Sequence, residues 1–227
     1  MSMRVNEIFA SIQGEGTRAG EPCTFVRFTG CNLRCTYCDT EHAFYEGEDL
    51  DRQGILARVA DLGLPLVCVT GGEPMLQREI VPFLGELVGR GYTVLLETGG
   101  SRPLSQVPSE VIKVVDLKTP GAIRRDPPPG FDLTPAFLST FDRSNLDALL
   151  PHDLIKIVLT SRADYEWAVA AMAELALPRR VQQVLFSPSH GELDARELSA
   201  WIVEDRLPVR LNLQLHKLIW GADARGV

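Results

Sequence analysis

Seven short runs of apolar and β-branched residues, separated by stretches of helical period, constrain this chain more than any other feature. The runs are 23–28 (CTFVRF), 66–70 (LVCVT), 92–97 (YTVLLE), 111–116 (VIKVVD), 153–159 (DLIKIVL), 181–186 (VQQVLF) and 209–215 (VRLNLQL). Leu76, Ile80, Val81, Leu84, Leu87 and Val88 share one face at helical spacing, and Gly91 supplies a stop. Further helices are predicted over 49–62, 162–177 and near 192–204. Strands alternating with helices imply βαβ units in a mostly parallel sheet. A closed eightfold barrel typically needs about 250 residues. The 227 residues here, with fewer helices than strands, predict an α/β fold of incomplete βα-barrel type, with about six parallel strands and reduced helix content. The stretch from Thr119 to Asp147, headed by PGAIRRDPPPG, is a long loop-like segment of the kind that is usually functional or mobile. No repeat or low-complexity tract breaks the pattern, and residues 1–227 are read as a single domain.

Composition excludes several classes. At 45% hydrophobic and 23% charged residues the chain is ordinary globular material. It has no window near the roughly 18 consecutive apolar residues of a membrane span. The N-terminal MSMRVNEIFASIQGEG lacks an apolar run of secretory length, so a cytoplasmic protein without a membrane partner is expected. A net charge of −7 lacks the global field of a nucleic-acid binder.

Glu73, Glu97, Asp116, Lys118, Ser187, Gln214 and His216 all fall at or just past the C-terminal ends of predicted strands, the edge where parallel α/β folds bind ligands. The sharpest local feature is GCNLRCTYCDT, which follows the first predicted strand with Cys31, Cys35 and Cys38 spaced CxxxCxxC. Five cysteines, three of them within eight residues, point to metal rather than disulfides. Three thiolates on one loop suit three irons of a 4Fe-4S cluster, leaving the fourth iron open for chemistry. The alternative is a structural zinc site completed by His42 or Cys23. Cys23 and Cys68 lie inside apolar strands and read as core.

The cysteine spacing, the aromatic Tyr37 before the last cysteine, and TGGEP at 70–74 after the next strand resemble the radical S-adenosylmethionine (SAM) superfamily. Further segments are similar to the 7-carboxy-7-deazaguanine synthase family: EIFASIQGEG (7–16), FVRFTGCNL (25–33), CDT (38–40), TGGEPMLQ (70–77), ETGG (97–100) and QLHKLIWGADARGV (214–227). Other small radical SAM proteins, such as glycyl-radical activases, share the cluster loop and GGEP but not QGEG.

The resemblance implies ring contraction of 6-carboxy-5,6,7,8-tetrahydropterin to 7-carboxy-7-deazaguanine with loss of ammonia, in queuosine or deazapurine biosynthesis. The cofactors it implies are a 4Fe-4S cluster on Cys31, Cys35 and Cys38, SAM, and Mg2+ on Thr40. Ile12, Gln13, Gly14, Glu15, Arg27, Thr70 and Val227 match substrate positions, Arg27 facing the carboxylate. Tyr37, Cys38, Asp39, Gly71, Gly72 and Glu73 match SAM positions. Asp116, Leu117 and Lys118 stand where some members have Ser-Pro-Lys, and Ser187, Pro188, Ser189 and His190 where some have Gln-Pro-Met-Asp; both are departures. Arg27 and Lys118 are the residues expected to serve catalysis, and Lys156 matches a family lysine. The implied partners are an external electron donor, flavodoxin or ferredoxin, and a second copy of the chain in a homodimer.

Overall fold

In the computed structural model, which describes residues 2–123, 140–222 and 224–227, nine strands form one open sheet. The strands are β1 (Ser2–Ile12), β2 (Pro22–Phe28), β3 (Glu48–Asp51), β4 (Leu66–Gly71), β5 (Thr93–Thr98), β6 (Ile112–Asp116), β7 (Leu154–Leu159), β8 (Gln183–Pro188) and β9 (Arg210–Leu211). The helices are α1 (Arg52–Leu62), α2 (Ile80–Gly89), α3 (Arg162–Glu174), α4 (Ala195–Glu204) and α5 (Leu215–Trp220). The order across the sheet is β3-β1-β2-β4-β5-β6-β7-β8-β9, parallel from β2 to β9, with β1 antiparallel to both β2 and β3. Each of the seven predicted runs contributes a strand, and the sheet stays open as an incomplete βα barrel does.

Period-two alternation sorts the strand residues between two faces. One face carries Val26, Phe28, Val67, Val69, Leu96, Val115, Ile157 and Phe186, which pack with Ile55, Phe83, Leu84, Leu87 and Tyr165 of the helices into the main core. The opposite, concave face is apolar at its floor, where Cys23, Leu66, Cys68 and Leu95 form one cluster and Val114, Leu154 and Leu185 another. Two residues further along the same strands the side chains turn polar: Arg27, Thr70, Glu97, Asp116 and Lys156. The site is that polar layer. Among the described residues no helix is long and apolar enough to cross a membrane.

Three elements differ from expectation. The stretch before QGEG is β1, whose alternation is interrupted by an irregularity between Val5 and Glu7 and is therefore hard to read from sequence. Residues 48–51 pair with β1, and Asp51 caps α1 by accepting from Gly54 N at 2.7 Å. The last strand is only Arg210–Leu211; Asn212 N still donates to Phe186 O at 2.9 Å, and the pairing with β8 ends there. The Asn212 side chain accepts from Gly16 N at 2.7 Å and donates to Ser187 Oγ at 2.8 Å, after which α5 begins. Most of the loop-like segment 119–147 lies outside the described residues.

Candidate active site

The loop after β2 is built around a buried arginine. Arg34 Nη1 donates to the carbonyls of Leu33 at 2.8 Å and Cys31 at 3.2 Å, and its guanidinium stacks 3.9 Å from the Phe44 ring centre. Asn32 Nδ2 donates to Ser101 Oγ at 2.9 Å, and Thr36 N to Ala122 O at 2.8 Å, so the loop is tied to the ends of β5 and β6. The result presents Cys31, Cys35 and Cys38 to an open cavity of ≈ 780 Å³ at the C-terminal ends of the parallel strands.

The donor set fits an iron–sulfur cluster. It is purely thiol, and burial pushes Cys31 up to about 12 and Cys38 to about 11, the Lys118 ammonium offsetting only part of the loss of hydration at Cys38. Bound iron supplies that missing positive charge. A mononuclear zinc site is not what the loop builds. Cys23 is fully buried with its thiol donating to Thr24 O, and His42 Nε2 lies 3.7 Å from Glu7 Oε1.

Beside the cysteines the GGEP turn offers bare backbone. A side chain at Gly71 would strike Phe28 and one at Gly72 would strike Gly30 and Cys31. Glu73 is buried, and its carboxylate accepts from Thr98 Oγ1 at 2.7 Å, Gly99 N at 2.8 Å and Met75 N at 3.0 Å. Burial raises its pKa, and these donors counter the rise. Glu73 therefore pins the turn against the end of β5, and the backbone is left to meet a ligand.

Across the cavity Lys118 Nζ lies 2.8 Å from Asp116 Oδ2 and 5.2 Å from the Tyr37 ring centre. Asp116 Oδ1 and the Tyr37 hydroxyl are buried without a partner among the described residues. Two such atoms beside a glycine turn and a thiol loop fit a ligand carrying hydroxyl, amino and carboxylate groups, as SAM does.

The QGEG strap crosses the concave face. Gly16, at φ 74°, packs against Leu154 and Leu185, and Gly14 lies against His216 where a side chain would clash. Gly14 O accepts from Leu215 N at 3.0 Å, which docks the start of α5 on the strap. Glu15 Oε2 meets Lys156 Nζ at 2.8 Å, and Gln214 Nε2 donates to Glu15 Oε1 at 3.0 Å. Burial pushes the Glu15 carboxyl up, but the Lys156 ammonium and the Gln214 amide outweigh it and hold it below the usual range. Burial alone would lower Lys156; the carboxylates of Glu15, Asp116 and Glu97 raise it well above the usual lysine range. Thr70 Oγ1 donates to Glu97 Oε2 at 3.0 Å, and Arg27 Nε to Glu7 Oε1 at 2.7 Å.

The cavity gathers nearly all of the expected site residues. Ile12, Gln13, Gly14, Glu15, Arg27, Thr70 and Val227 line it, as do Tyr37, Cys38, Asp39 and Thr40. So do Gly71, Gly72, Glu73, Asp116, Lys118, Ser189 and His190. Three stand apart from the lining. Leu117 is buried in the helix-side core, Ser187 is taken up by Asn212, and Pro188 ends β8. The structure adds Glu7, Phe9 and Lys217, none of which the motifs single out. Lys217 Nζ lies 2.9 Å from Asp39 Oδ2 and, outweighing burial, holds the Asp39 carboxyl well below the usual range.

Fold and site together define a radical SAM protein, and the profile described as "Radical SAM superfamily" matches residues 25–116. The fold is similar to the crystal structure of QueE from Escherichia coli, with a TM-score of 0.69 at 21% identity and 94% of each chain covered. SuiB from Streptococcus suis, solved bound to S-adenosylmethionine, superposes with a TM-score of 0.52 at 14% identity over 80% of this chain and 44% of that one. A protein named 7-carboxy-7-deazaguanine synthase from Koribacter versatilis is 44% identical over 99% of this chain and 100% of its own length. Its namesake from Chlorobaculum tepidum is 40% identical over 99% and 97%. The chain belongs to the 7-carboxy-7-deazaguanine synthase family.

Proposed function

We propose that this protein is a 7-carboxy-7-deazaguanine synthase, contracting 6-carboxy-5,6,7,8-tetrahydropterin to the deazapurine acid with loss of ammonia. The observation that carries this is the convergence of the QGEG strap, Arg27 and the three-cysteine loop on one cavity. A glycyl-radical activase, the other reading from the same superfamily, would share the cluster loop and GGEP but not the QGEG strap, which here lines the cavity. The unbroken sheet through β1–β9 supports reading residues 1–227 as one catalytic unit.

When bound, the cluster and SAM supply an electron and a hydrogen-abstracting radical. Cys31, Cys35 and Cys38 would hold the cluster. The backbone of Gly71 and Gly72, Asp116 Oδ1 and the Tyr37 hydroxyl would hold SAM, with Lys118 fixing Asp116. Arg27 would meet the substrate carboxylate by its outer guanidinium edge, a charge-assisted fork. Gln13, Glu15 and Thr70 would take the pterin edge, and the terminal carboxylate of Val227 would approach it from the tail. Thr40 suits Mg2+ by its chemistry. Its hydroxyl proton goes to Asp39 Oδ1 at 2.8 Å, which leaves oxygen lone pairs for a hard cation completed by substrate oxygens and water. A pterin held in the cavity beside the strap would have one hydrogen fixed in place and would be shielded from water. An external one-electron donor and a homodimer complete the proposal; exposed Leu218 and Ile219 on α5 support the second.

The test is anaerobic reconstitution followed by reductant, SAM, Mg2+ and the carboxytetrahydropterin, with mass spectrometry of products. Deazapurine acid formed with SAM used catalytically is the expected result. 5′-Deoxyadenosine without that product would overturn the substrate. The Cys35→Ala variant should lack both cluster absorbance and turnover; retention of either would overturn the cluster loop.

A further inference from the structure

β1 carries an irregularity where it passes the Arg27 end of the cavity. Val5 pairs with Phe28 and Glu7 with Arg27, so Asn6 is an extra residue in the ladder. Unbroken period two would put Val5, Glu7 and Phe9 on one face. Instead Val5 is buried in the helix-side core, whereas Phe9 stacks on Phe25 at 5.1 Å and Glu7 joins the cavity wall. A bulge re-aims the side chain that follows it. Here that side chain is a carboxylate.

Glu7 Oε1 accepts from Arg27 Nε at 2.7 Å, and the guanidinium carbon stands 5.9 Å from the centre of the Phe9 ring. With side chains 18% and 23% exposed, the pair lies largely buried in the cavity wall. Its effect is on direction. A guanidinium offers five N–H donors in a plane, and engaging Nε at Glu7 leaves the outer Nη edge for an anion. Glu7 also cancels the Arg27 charge, so an anion bound there depends on aimed hydrogen bonds and a nearby cation.

We propose that Glu7 is a positioning residue: placed by the β1 bulge, it holds the Arg27 guanidinium with its Nη edge toward the substrate carboxylate. This rests on the reading of Arg27 given above, and the test separates the two. Steady-state kinetics of the reconstituted enzyme would compare Glu7→Ala, Glu7→Gln, Arg27→Ala and the double variant E7A/R27A. Binding of 7-carboxy-7-deazaguanine to each, without reductant, would be followed by fluorescence. Glu7→Ala should raise KM about tenfold with a smaller change in kcat, as expected for lost ground-state binding. Glu7→Gln, which keeps an acceptor for Arg27 Nε, should recover most of that loss, and product affinity should follow the same order. In the Arg27→Ala background Glu7→Ala should add less than about a twofold change. An equal penalty in both backgrounds, or a kcat loss at constant KM, would overturn the positioning role. If Arg27→Ala alone left KM and product binding unchanged, the Arg27 reading would fall instead. Should Glu7→Ala not fold, Glu7→Asp, which withdraws the carboxylate by one methylene, carries the same comparison.

Discussion

Lys156 sits in the middle of β7, where an unpaired ammonium would not survive burial, and at the scale of single residues the site is organised around it. It touches Glu15 at 2.8 Å and Asp116 at 3.6 Å, and Asp116 in turn holds Lys118 at 2.8 Å. Two lysines and two carboxylates thus link the QGEG strap to β6 and β7. Sequence reading could flag Lys156 as a buried charge needing a partner. It could not name Glu15, 141 residues away, because nothing local couples them. The pair has a pH signature. The stability that Glu15 contributes by ionising is full above the ordinary carboxylate range and is lost as pH falls through its depressed folded value. That from Lys156 is full below the ordinary lysine range and is lost as pH rises through its raised folded value. The melting-temperature gap between wild type and Glu15→Gln should therefore be flat from about pH 5 to pH 9 and close toward acid. A gap that widens below pH 4 would contradict the ion pair.

At the scale of elements, the rim opposite the cavity is fastened by a buried ion pair. Lys113 on β6 and Asp153 before β7 meet at 2.9 Å with side chains 2% and 0% exposed. Asp153 also accepts from Lys113 N and Leu150 N, so one carboxylate sets the register at which β7 enters the sheet. Asp153→Ala strands a buried ammonium and two backbone donors, and should cost about 3–5 kcal/mol in urea unfolding. Lys113→Met leaves Asp153 its two backbone donors and should cost less; the reverse order would show the pair is not the fastening. The helix α5 is held in the opposite manner. It buries none of its residues fully and is tethered by polar contacts, Gln214 to Glu15 and Lys217 to Asp39. Its six residues carry too short a pattern to read, whereas α2 and α4 are legible because each buries an apolar stripe.

At the scale of the whole molecule, α5 leaves Leu218 69% and Ile219 54% exposed, beside Trp220. The homodimer proposed above would make its contact through this surface. Sedimentation should show a dimer that Ile219→Glu shifts toward monomer by at least about tenfold in dissociation constant; an unchanged dimer would place the contact elsewhere. By itself the sequence determined the parallel α/β class, the rim on which ligands sit, the cluster loop and the family, because these rest on local periods and on motifs contiguous in the chain. Only the tertiary structure decided which charges meet: Glu7 on Arg27, Glu15 on Lys156, Lys217 on Asp39. Two of those pairs join segments far apart in sequence, and the first meets across β1 and β2 at an irregular register. Their contacts depend on a bulge, a strap and a short polar-tethered helix, none of which has a period of its own to announce it.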